Sequence, residues 1–194
     1  MPGIAGRVVV VSAAAQGIGQ AIAVRLAQHG AKVVCCDLAS NPATDTVKMI
    51  QSLGGTGILM DCDVTDRAAV DKMFATTVST LSRLDMSISV VGGGERKPFL
   101  EQTSESYLRC VELTQHSHWH FQQSAARHMV ALGQGGKLVL IGSIMQAMSV
   151  ANVSAYQMAK SALPTLTKCI ANELAPHKIR CNLVQQSTRT QTET

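Results

Sequence analysis

Short apolar runs alternate with longer segments of helical periodicity along most of the chain. The apolar runs lie at residues 7–11, 32–37, 56–64, 86–91, 136–143 and 179–185. Several are rich in valine and isoleucine, which is typical of strands buried on both faces of a sheet. The segments with apolar residues at helical spacing lie at 19–30, 41–55, 65–81, 104–132 and 152–175. Thr65 is the expected N-cap of its helix, and Pro164 is expected either to kink the last one or to be tolerated there through local water or packing.

This alternation predicts an α/β fold. Strands joined through helices form right-handed crossovers, so the expected architecture is a doubly wound parallel sheet of about six strands with helices on both faces. No repeat or linker interrupts the pattern, which predicts a single domain over residues 1–194. The polar end of the chain, from about residue 186, has no periodicity and is expected to be irregular.

Composition excludes several classes of protein. The formal net charge is +4, but the basic residues form no cluster, which argues against nucleic-acid binding. No apolar run is long enough to span a membrane, and the N-terminal residues do not resemble a secretory signal. The six cysteines form no C-x-x-C pair and are expected to be reduced. These features predict a cytoplasmic protein.

A glycine-containing turn follows the first strand. Residues 12–19 read SAAAQGIG, and Gly17 and Gly19 stand where the next helix begins. Glycines let backbone approach a pyrophosphate, and a helix N-terminus favours an anion. A tight strand-to-helix turn would use the same glycines without any ligand. The motif is also not the usual G-x-G-x-x-G fingerprint.

Acidic residues end the next two strands. Asp37 lies 18 positions beyond Gly19, where a carboxylate accepts hydrogen bonds from ribose hydroxyls and repels a 2′-phosphate. This favours NAD over NADP. Asp63 and Val64 follow the third strand, where an acidic side chain could meet the adenine amino group. The alternative is that Asp37 is a cap or loop residue and Asp63 a turn former.

Tyr156 and Lys160 are four residues apart, so they share one helix face. A nearby ammonium group would lower the pKa of the phenol and make it a general acid and base. A surface pair on an amphipathic helix is the alternative. Ser143 ends the fifth strand and thus lies at the carboxyl edge of the sheet, where ligands bind in open α/β folds.

Together these motifs resemble the short-chain dehydrogenase/reductase family over about residues 5–184. The resemblance rests on the glycine turn, Asp63-Val64, Ser143, the YQMAK motif and NELAPHKIRCN before the sixth strand. It implies hydride transfer between NAD(H) and a secondary alcohol or ketone. Tyr156 would exchange the proton, Ser143 would hold the substrate oxygen, and Lys160 would bind the nicotinamide ribose. The cofactor site would comprise Ser12, Gln16, Gly17, Ile18, Gly19, Asp37, Asp63, Val64, Gly92, Tyr156 and Lys160.

Four features depart from the family pattern. Ala13 replaces the first glycine, and SVVG at residues 89–92 replaces N-N-A-G. Glu112 aligns best with the asparagine of the catalytic tetrad and is therefore a fourth candidate catalytic residue. QQS at 185–187 stands in place of Pro-Gly, and the chain given ends at Thr194. These departures raise an alternative function: a truncated, catalytically impaired module that binds cofactor or dimerises.

The long helix at 104–132 carries His116, His118 and His120. Histidines four apart share a face, as in metal sites, but no acidic or cysteine partner is evident. In this family the long helices commonly pack against another subunit. We therefore expect interface histidines, no metal, and a homodimer or homotetramer formed through the long helices.

Overall fold

The computed structural model describes residues 3–187 and contains a six-stranded parallel sheet. The strands are β1 (Val8–Val11), β2 (Lys32–Asp37), β3 (Thr56–Asp61), β4 (Met86–Ser89), β5 (Gly136–Ser143) and β6 (Ile179–Gln186). Their order in the sheet is β3-β2-β1-β4-β5-β6. From β1 the chain adds β2 and β3 on one side of the sheet, and then β4, β5 and β6 on the other side. The strand order therefore reverses between β1 and β4, and such a switch point opens a crevice at the carboxyl ends of the strands.

Seven α-helices connect or follow the strands within this part of the chain. They are α1 (Gly17–Gln28), α2 (Thr44–Ser52), α3 (Arg67–Leu81), α4 (Ser104–Val111), α5 (Ser117–Leu132), α6 (Ser154–Ser161) and α7 (Leu163–Leu174). The predicted doubly wound α/β fold is confirmed.

Side chains of β1 alternate between two apolar layers, one on each face of the sheet. Val10 packs with Phe74 of α3 and Phe121 of α5, whereas Val9 packs with Ala23 of α1 and Ile50 of α2. This alternation follows from the two-residue period of a strand. The apolar strands predicted from the sequence are therefore covered by helices on both faces of the sheet.

The predicted long helix at 104–132 is interrupted. Residues Glu112–His116 form a π-helical turn between α4 and α5. Such turns insert an extra residue and often occur at functional sites. Helical periodicity alone does not reveal this interruption.

The helix that carries Pro164 also divides. Pro164 lies in the first turn of α7, where a missing N–H costs nothing, so the predicted kink becomes a boundary between α6 and α7. Asp66, rather than the predicted Thr65, caps α3 by accepting hydrogen bonds from the N–H groups of Ala68 and Ala69. A carboxylate is an equally good cap, so composition could not separate the two neighbours.

At the amino ends of the strands Asp85 forms ion pairs with two arginines. Its carboxylate accepts hydrogen bonds from Arg7 at 2.8 Å, Arg83 at 2.6 Å and the Val8 N–H at 2.8 Å. Burial alone would raise the pKa of Asp85, but these hydrogen bonds, chiefly from Arg83, lower it below its usual value. The cluster joins β1 to the start of β4.

The last strand extends one residue further than predicted, to Gln186. The rest of the predicted irregular tail, beyond residue 187, lies outside the described residues. No helix within residues 3–187 is long and apolar enough to cross a membrane.

Candidate active site

The glycine turn between β1 and α1 is tightly packed against itself. A Cβ on Gly19 would lie 2.0 Å from the carbonyl oxygen of Ala13, so only glycine fits there. Gly17 has a φ of 59°, in the left-handed region that favours glycine. Gln16, Gly17 and Ile18 are exposed, and the first turn of α1 holds no acidic side chain. The N–H groups of this helix end can therefore receive an anion such as a pyrophosphate.

Ser12 and Ala13 shape the turn in ways that the sequence did not indicate. The buried Ser12 hydroxyl accepts a hydrogen bond from the Val90 N–H at 2.9 Å, so it joins the turn to the segment after β4. Ala13 has a φ of 49°, which costs energy for a residue with a Cβ. The Ser12 side chain thus braces the sheet, and its predicted cofactor contact stays a prediction.

Asp37 and Asp63 lie together at the edge of a cavity of about 240 Å³, which Val64 also lines. The Asp37 carboxylate accepts hydrogen bonds from the Ala15 N–H at 2.8 Å and the Leu38 N–H at 2.9 Å. The Asp63 carboxylate accepts from the backbone and hydroxyl of Thr65. Both side chains are held in place, and each oxygen retains lone pairs for a ligand.

Lys160 is buried beneath this edge of the sheet, with 3% of its surface exposed. Its Nζ donates hydrogen bonds to the carbonyl oxygens of Val91 at 2.9 Å and Ile141 at 2.8 Å. Burial lowers the pKa of Lys160 to about 8, because the neutral amine is less costly to desolvate. A Cβ on Gly92 would lie 2.9 Å from Nζ, so a larger residue at Gly92 would displace the amine.

The Tyr156 ring lies above the same amine, with Nζ 5.9 Å from the ring centroid. Burial raises the pKa of the phenol, and a hydrogen bond with Ser143 partly opposes that rise. The predicted direction was wrong: the net shift of the Tyr156 pKa is upward, because burial favours the neutral phenol more than its neighbours favour the phenolate. The Lys160 amine donates its hydrogen bonds to two carbonyl groups and not to the phenol.

Ser143 and Gln157 organise the segment that follows β5. The Ser143 hydroxyl accepts a hydrogen bond from the Met145 N–H at 3.2 Å. The Gln157 side chain donates to the Met145 carbonyl at 3.1 Å and accepts from the Val150 N–H at 3.3 Å. Gln157 was not predicted as a site residue, yet it fixes the loop beside Tyr156.

Glu112 is not brought together with the other candidates. Its carboxylate lies 3.0 Å from the imidazole of His116, and both side chains are about half exposed. Among residues 3–187, Glu112 makes no hydrogen bond or ion pair with Ser143, Tyr156 or Lys160. Its catalytic role stays a prediction.

Three residues that face the site were missed as site residues: Cys110, Thr114 and His118. His118 was expected at an interface, but it is fully buried inside the chain. Its Nε2 donates to the Val91 carbonyl at 2.9 Å, and its Nδ1 lies 2.6 Å from the Ser89 hydroxyl. Burial, reinforced by the nearby Lys160 ammonium, lowers the pKa of His118 to about 3. The four-residue spacing of 110, 114 and 118 was the available signal.

Among residues 3–187, no group of three or more histidine, cysteine, aspartate or glutamate side chains is arranged to hold a metal ion. His116 and His120 have ring centroids 6.4 Å apart. The cysteines within the described part of the chain are free thiols.

Comparison with known proteins identifies the family. The model of the family described as short chain dehydrogenase matches residues 7–194. The chain belongs to the short-chain dehydrogenase/reductase family. Members of this family are oxidoreductases, which agrees with the crevice, glycine turn and Ser143–Tyr156–Lys160 group described above.

Characterised relatives cover nearly the whole chain. The (-)-trans-carveol dehydrogenase of Rhodococcus erythropolis is 30% identical over 94% of this chain and 70% of its own length. The 7alpha-hydroxysteroid dehydrogenase of Escherichia coli K12 is 31% identical over 91% of this chain and 69% of its own. A crystal structure of a short chain dehydrogenase from Mycobacterium smegmatis has a TM-score of 0.92 and 32% identity, covering 96% of this chain and 79% of that one.

Proposed function

We propose that this dehydrogenase/reductase transfers a hydride between NAD(H) and a secondary alcohol or ketone. The observation that carries the proposal is the placement of Ser143, Tyr156 and Lys160 at the carboxyl edge of the sheet, beside the crevice that begins at the glycine turn. The names of two relatives refer to alcohols, carveol and a hydroxysteroid, which supports this class of substrate.

The residues around the crevice fit a dinucleotide. The exposed N-terminal end of α1 has no acidic side chain in its first turn that would compete with a bound anion. At Gly19 the Ala13 backbone lies so close that no side chain could be accommodated. When bound, NAD(H) supplies the hydride acceptor or donor. Gly17 and the first N–H groups of α1 would bind the pyrophosphate, and Asp37 would accept hydrogen bonds from the adenosine ribose.

The residues of the chain handle the proton and orient the substrate. Tyr156 is protonated at neutral pH because burial raises the pKa of its phenol, so it can donate a proton to a ketone oxygen. Ser143 would hold that oxygen through its hydroxyl. As the phenol gives up this proton a phenolate forms, which the Lys160 charge would stabilise; in alcohol oxidation that phenolate would take the proton back.

Asp37 supports NAD rather than NADP. Its carboxylate is fixed by two backbone N–H groups at the cavity beside Asp63, so a 2′-phosphate there would meet two negative charges. Asp37→Asn should reduce the preference for NADH over NADPH by at least about tenfold in Kd. Calorimetry with both nucleotides measures this ratio, and an unchanged ratio would contradict the assignment.

A second candidate is a cofactor-binding module without turnover. Ala13 favours it, because its methyl group lies in the glycine turn at a strained backbone angle. Two measurements separate the candidates: NADH binding by calorimetry, and NADH oxidation with a panel of ketones. Binding without turnover would support the module, and turnover would reject it.

Tyr156→Phe tests the leading proposal directly. We expect it to lower kcat by about 10²–10⁴-fold with NADH affinity retained, because the ring remains and the proton donor is lost. Tyr107→Phe is the matched control, since Tyr107 is the other tyrosine of the chain and lies on α4. Equal rates for Tyr156→Phe and the wild type would overturn the catalytic assignment.

We also propose that α5 and α7 form a homo-oligomer interface. A cavity of about 350 Å³ runs between them, and Trp119 on α5 is 50% exposed beside it. A second copy would cover this apolar surface. Sedimentation should show a dimer or tetramer that Trp119→Glu dissociates. The predicted cytoplasmic location remains a prediction.

A further inference from the structure

A polar stripe on the inner face of the α4–α5 region holds the segment that follows β4. The stripe consists of Cys110, Thr114 and His118, all of which are buried. They contact the backbone of residues 91–93 through donors from each of the three side chains. Because this segment also lies against Lys160, the stripe connects the π-helical turn to the candidate active site.

Thr114 makes the closest attachment. Its hydroxyl donates to the Gly93 carbonyl at 2.8 Å and accepts from the Gly93 N–H at 3.0 Å. One oxygen thus satisfies both backbone groups of a single residue. Cys110 adds a weaker donor, with Sγ 3.3 Å from the same carbonyl.

Gly92 links this attachment to the amine. A Cβ at Gly92 would lie 2.9 Å from Lys160 Nζ and 3.5 Å from the Thr114 methyl group. The Cα of Gly92 therefore lies beside both side chains, although the residue itself is exposed on its other side. Any shift of residues 91–93 changes the space and the carbonyl group available to Nζ, since Val91 is one of its acceptors.

We propose that Thr114 is a positioning residue that fixes the Lys160 amine through the backbone of Val91, Gly92 and Gly93. The inference rests on the proposed function, in which Lys160 binds the cofactor and supports Tyr156. Thr114 itself touches neither the phenol nor, in this proposal, the substrate. Its contribution is to keep the residue 91–93 backbone in one place beneath the nucleotide crevice.

The first test measures the amine without any nucleotide. Titration of ¹³Cε,¹⁵Nζ-lysine-labelled protein by NMR follows Lys160, with Lys160→Met used to assign its signal. The titratable groups facing the amine are Cys110, His118 and Tyr156. We expect Thr114→Val to raise the pKa of Lys160 by about one unit, because the loosened backbone admits water, and Thr114→Ser to leave it unchanged.

The second test measures NADH binding by calorimetry. Thr114→Val should weaken binding about tenfold, and Thr114→Ser should restore wild-type affinity. Thr77→Val is the matched control: Thr77 is equally buried, but its hydroxyl donates within its own helix, to the Met73 carbonyl. It should lose stability without changing either the Lys160 titration or NADH affinity.

The outcomes separate this inference from the proposed function. If the wild type does not bind NADH, the proposed function fails, while the titration still decides whether Thr114 positions Lys160. If Thr114→Val and Thr77→Val give the same titration and the same affinity, Thr114 is only a packed residue and the inference is wrong. Should Thr114→Val not fold, Thr114→Cys retains a weak donor and should give intermediate values; wild-type values would overturn the inference.

Discussion

At the amino ends of the strands, the Asp85 carboxylate, whose side chain is 12% exposed, faces two arginines and a backbone N–H. At the carboxyl ends, the buried amine of Lys160 faces neutral groups: two carbonyl oxygens, with an imidazole and a phenol nearby. The pKa of Asp85 is lowered by its partners, so its charged form is stabilised. The pKa of Lys160 is also lowered, but there the charged form is penalised.

We infer from this difference that the amino edge contributes mainly to stability and that the carboxyl edge carries the proposed chemistry. A carboxylate with charged donors at 2.6–2.8 Å contributes to folding. An amine whose pKa is about 8 is poised to respond to a bound ligand or a nearby phenolate. We expect substitutions at the two edges to separate stability from activity.

The largest expected effect on activity is at the carboxyl edge. Lys160→Met should lower kcat/KM by at least about 100-fold, because both the ribose contact and the charge beside Tyr156 are lost. Its free energy of unfolding should stay within about 1 kcal/mol of the wild type, since losing two hydrogen bonds is offset by removing a buried charge. Urea unfolding and steady-state rates measure the two quantities. If Lys160→Met lost stability but kept its rate, the carboxyl edge would serve stability and the contrast between the two edges would be wrong.

At the amino edge we expect the opposite result. Asp85→Ala leaves the Arg7 and Arg83 guanidinium groups and the Val8 N–H without their acceptor. The free energy of unfolding should fall by about 3 kcal/mol. Activity per folded molecule should be unchanged, because Asp85 lies at the far end of the strands. Urea unfolding together with active-site titration checks this, and a fall in kcat would show that the two edges are coupled.

The two edges should also respond to acid at different pH values. His118 has a folded-state pKa of about 3 against 6.5 for an ordinary histidine, so its contribution to stability is full above pH 6.5 and declines as the pH falls toward 3. Asp85 loses its contribution only below its ordinary value of 3.8. Between pH 6.5 and 4.5 the wild type should therefore lose about 2 kcal/mol through His118.

His118→Gln isolates this effect, because glutamine retains an N–H donor but does not titrate. Its stability should decline less than that of the wild type between pH 6.5 and 4.5, as measured by urea unfolding at each pH. Parallel curves would mean that His118 is not the group responsible. Lys160 adds a change in the alkaline range: stability should rise between pH 8 and 10.5 in the wild type and not in Lys160→Met.

The smallest expected effect is at Ala13. Ala13→Gly relieves a φ of 49° and should raise the free energy of unfolding by about 0.5–1 kcal/mol. It should also tighten NADH binding, since a methyl group is removed from the turn. Calorimetry and urea unfolding test both expectations. A loss of stability would mean that the methyl group packs favourably.

The sequence was sufficient for the fold because strands buried on both faces and helical segments alternate clearly. Tyr156, Lys160 and Ser143 could be proposed as a group because helix spacing and strand ends are local features. The four-residue spacing of Thr114 and His118 was a signal that they share a helix face, but it could not reveal their roles, because their partners lie more than 20 residues away. The direction of the Tyr156 pKa shift was missed because burial cannot be read from the spacing of two residues.

The π-helical turn also determines which residues before and after it lie on the same face of the helix. In an uninterrupted α-helix, residues eight apart differ by roughly 80° around the axis, so 110 and 118 would diverge. The wider turn at Glu112–His116 cancels much of that offset. Removing a single residue from it would leave these two positions seven apart, and seven residues of a regular α-helix come within about 20° of two full turns. A deletion here would therefore preserve the inward-facing side chains of α4, whereas a further insertion would rotate them by about 100° relative to α5.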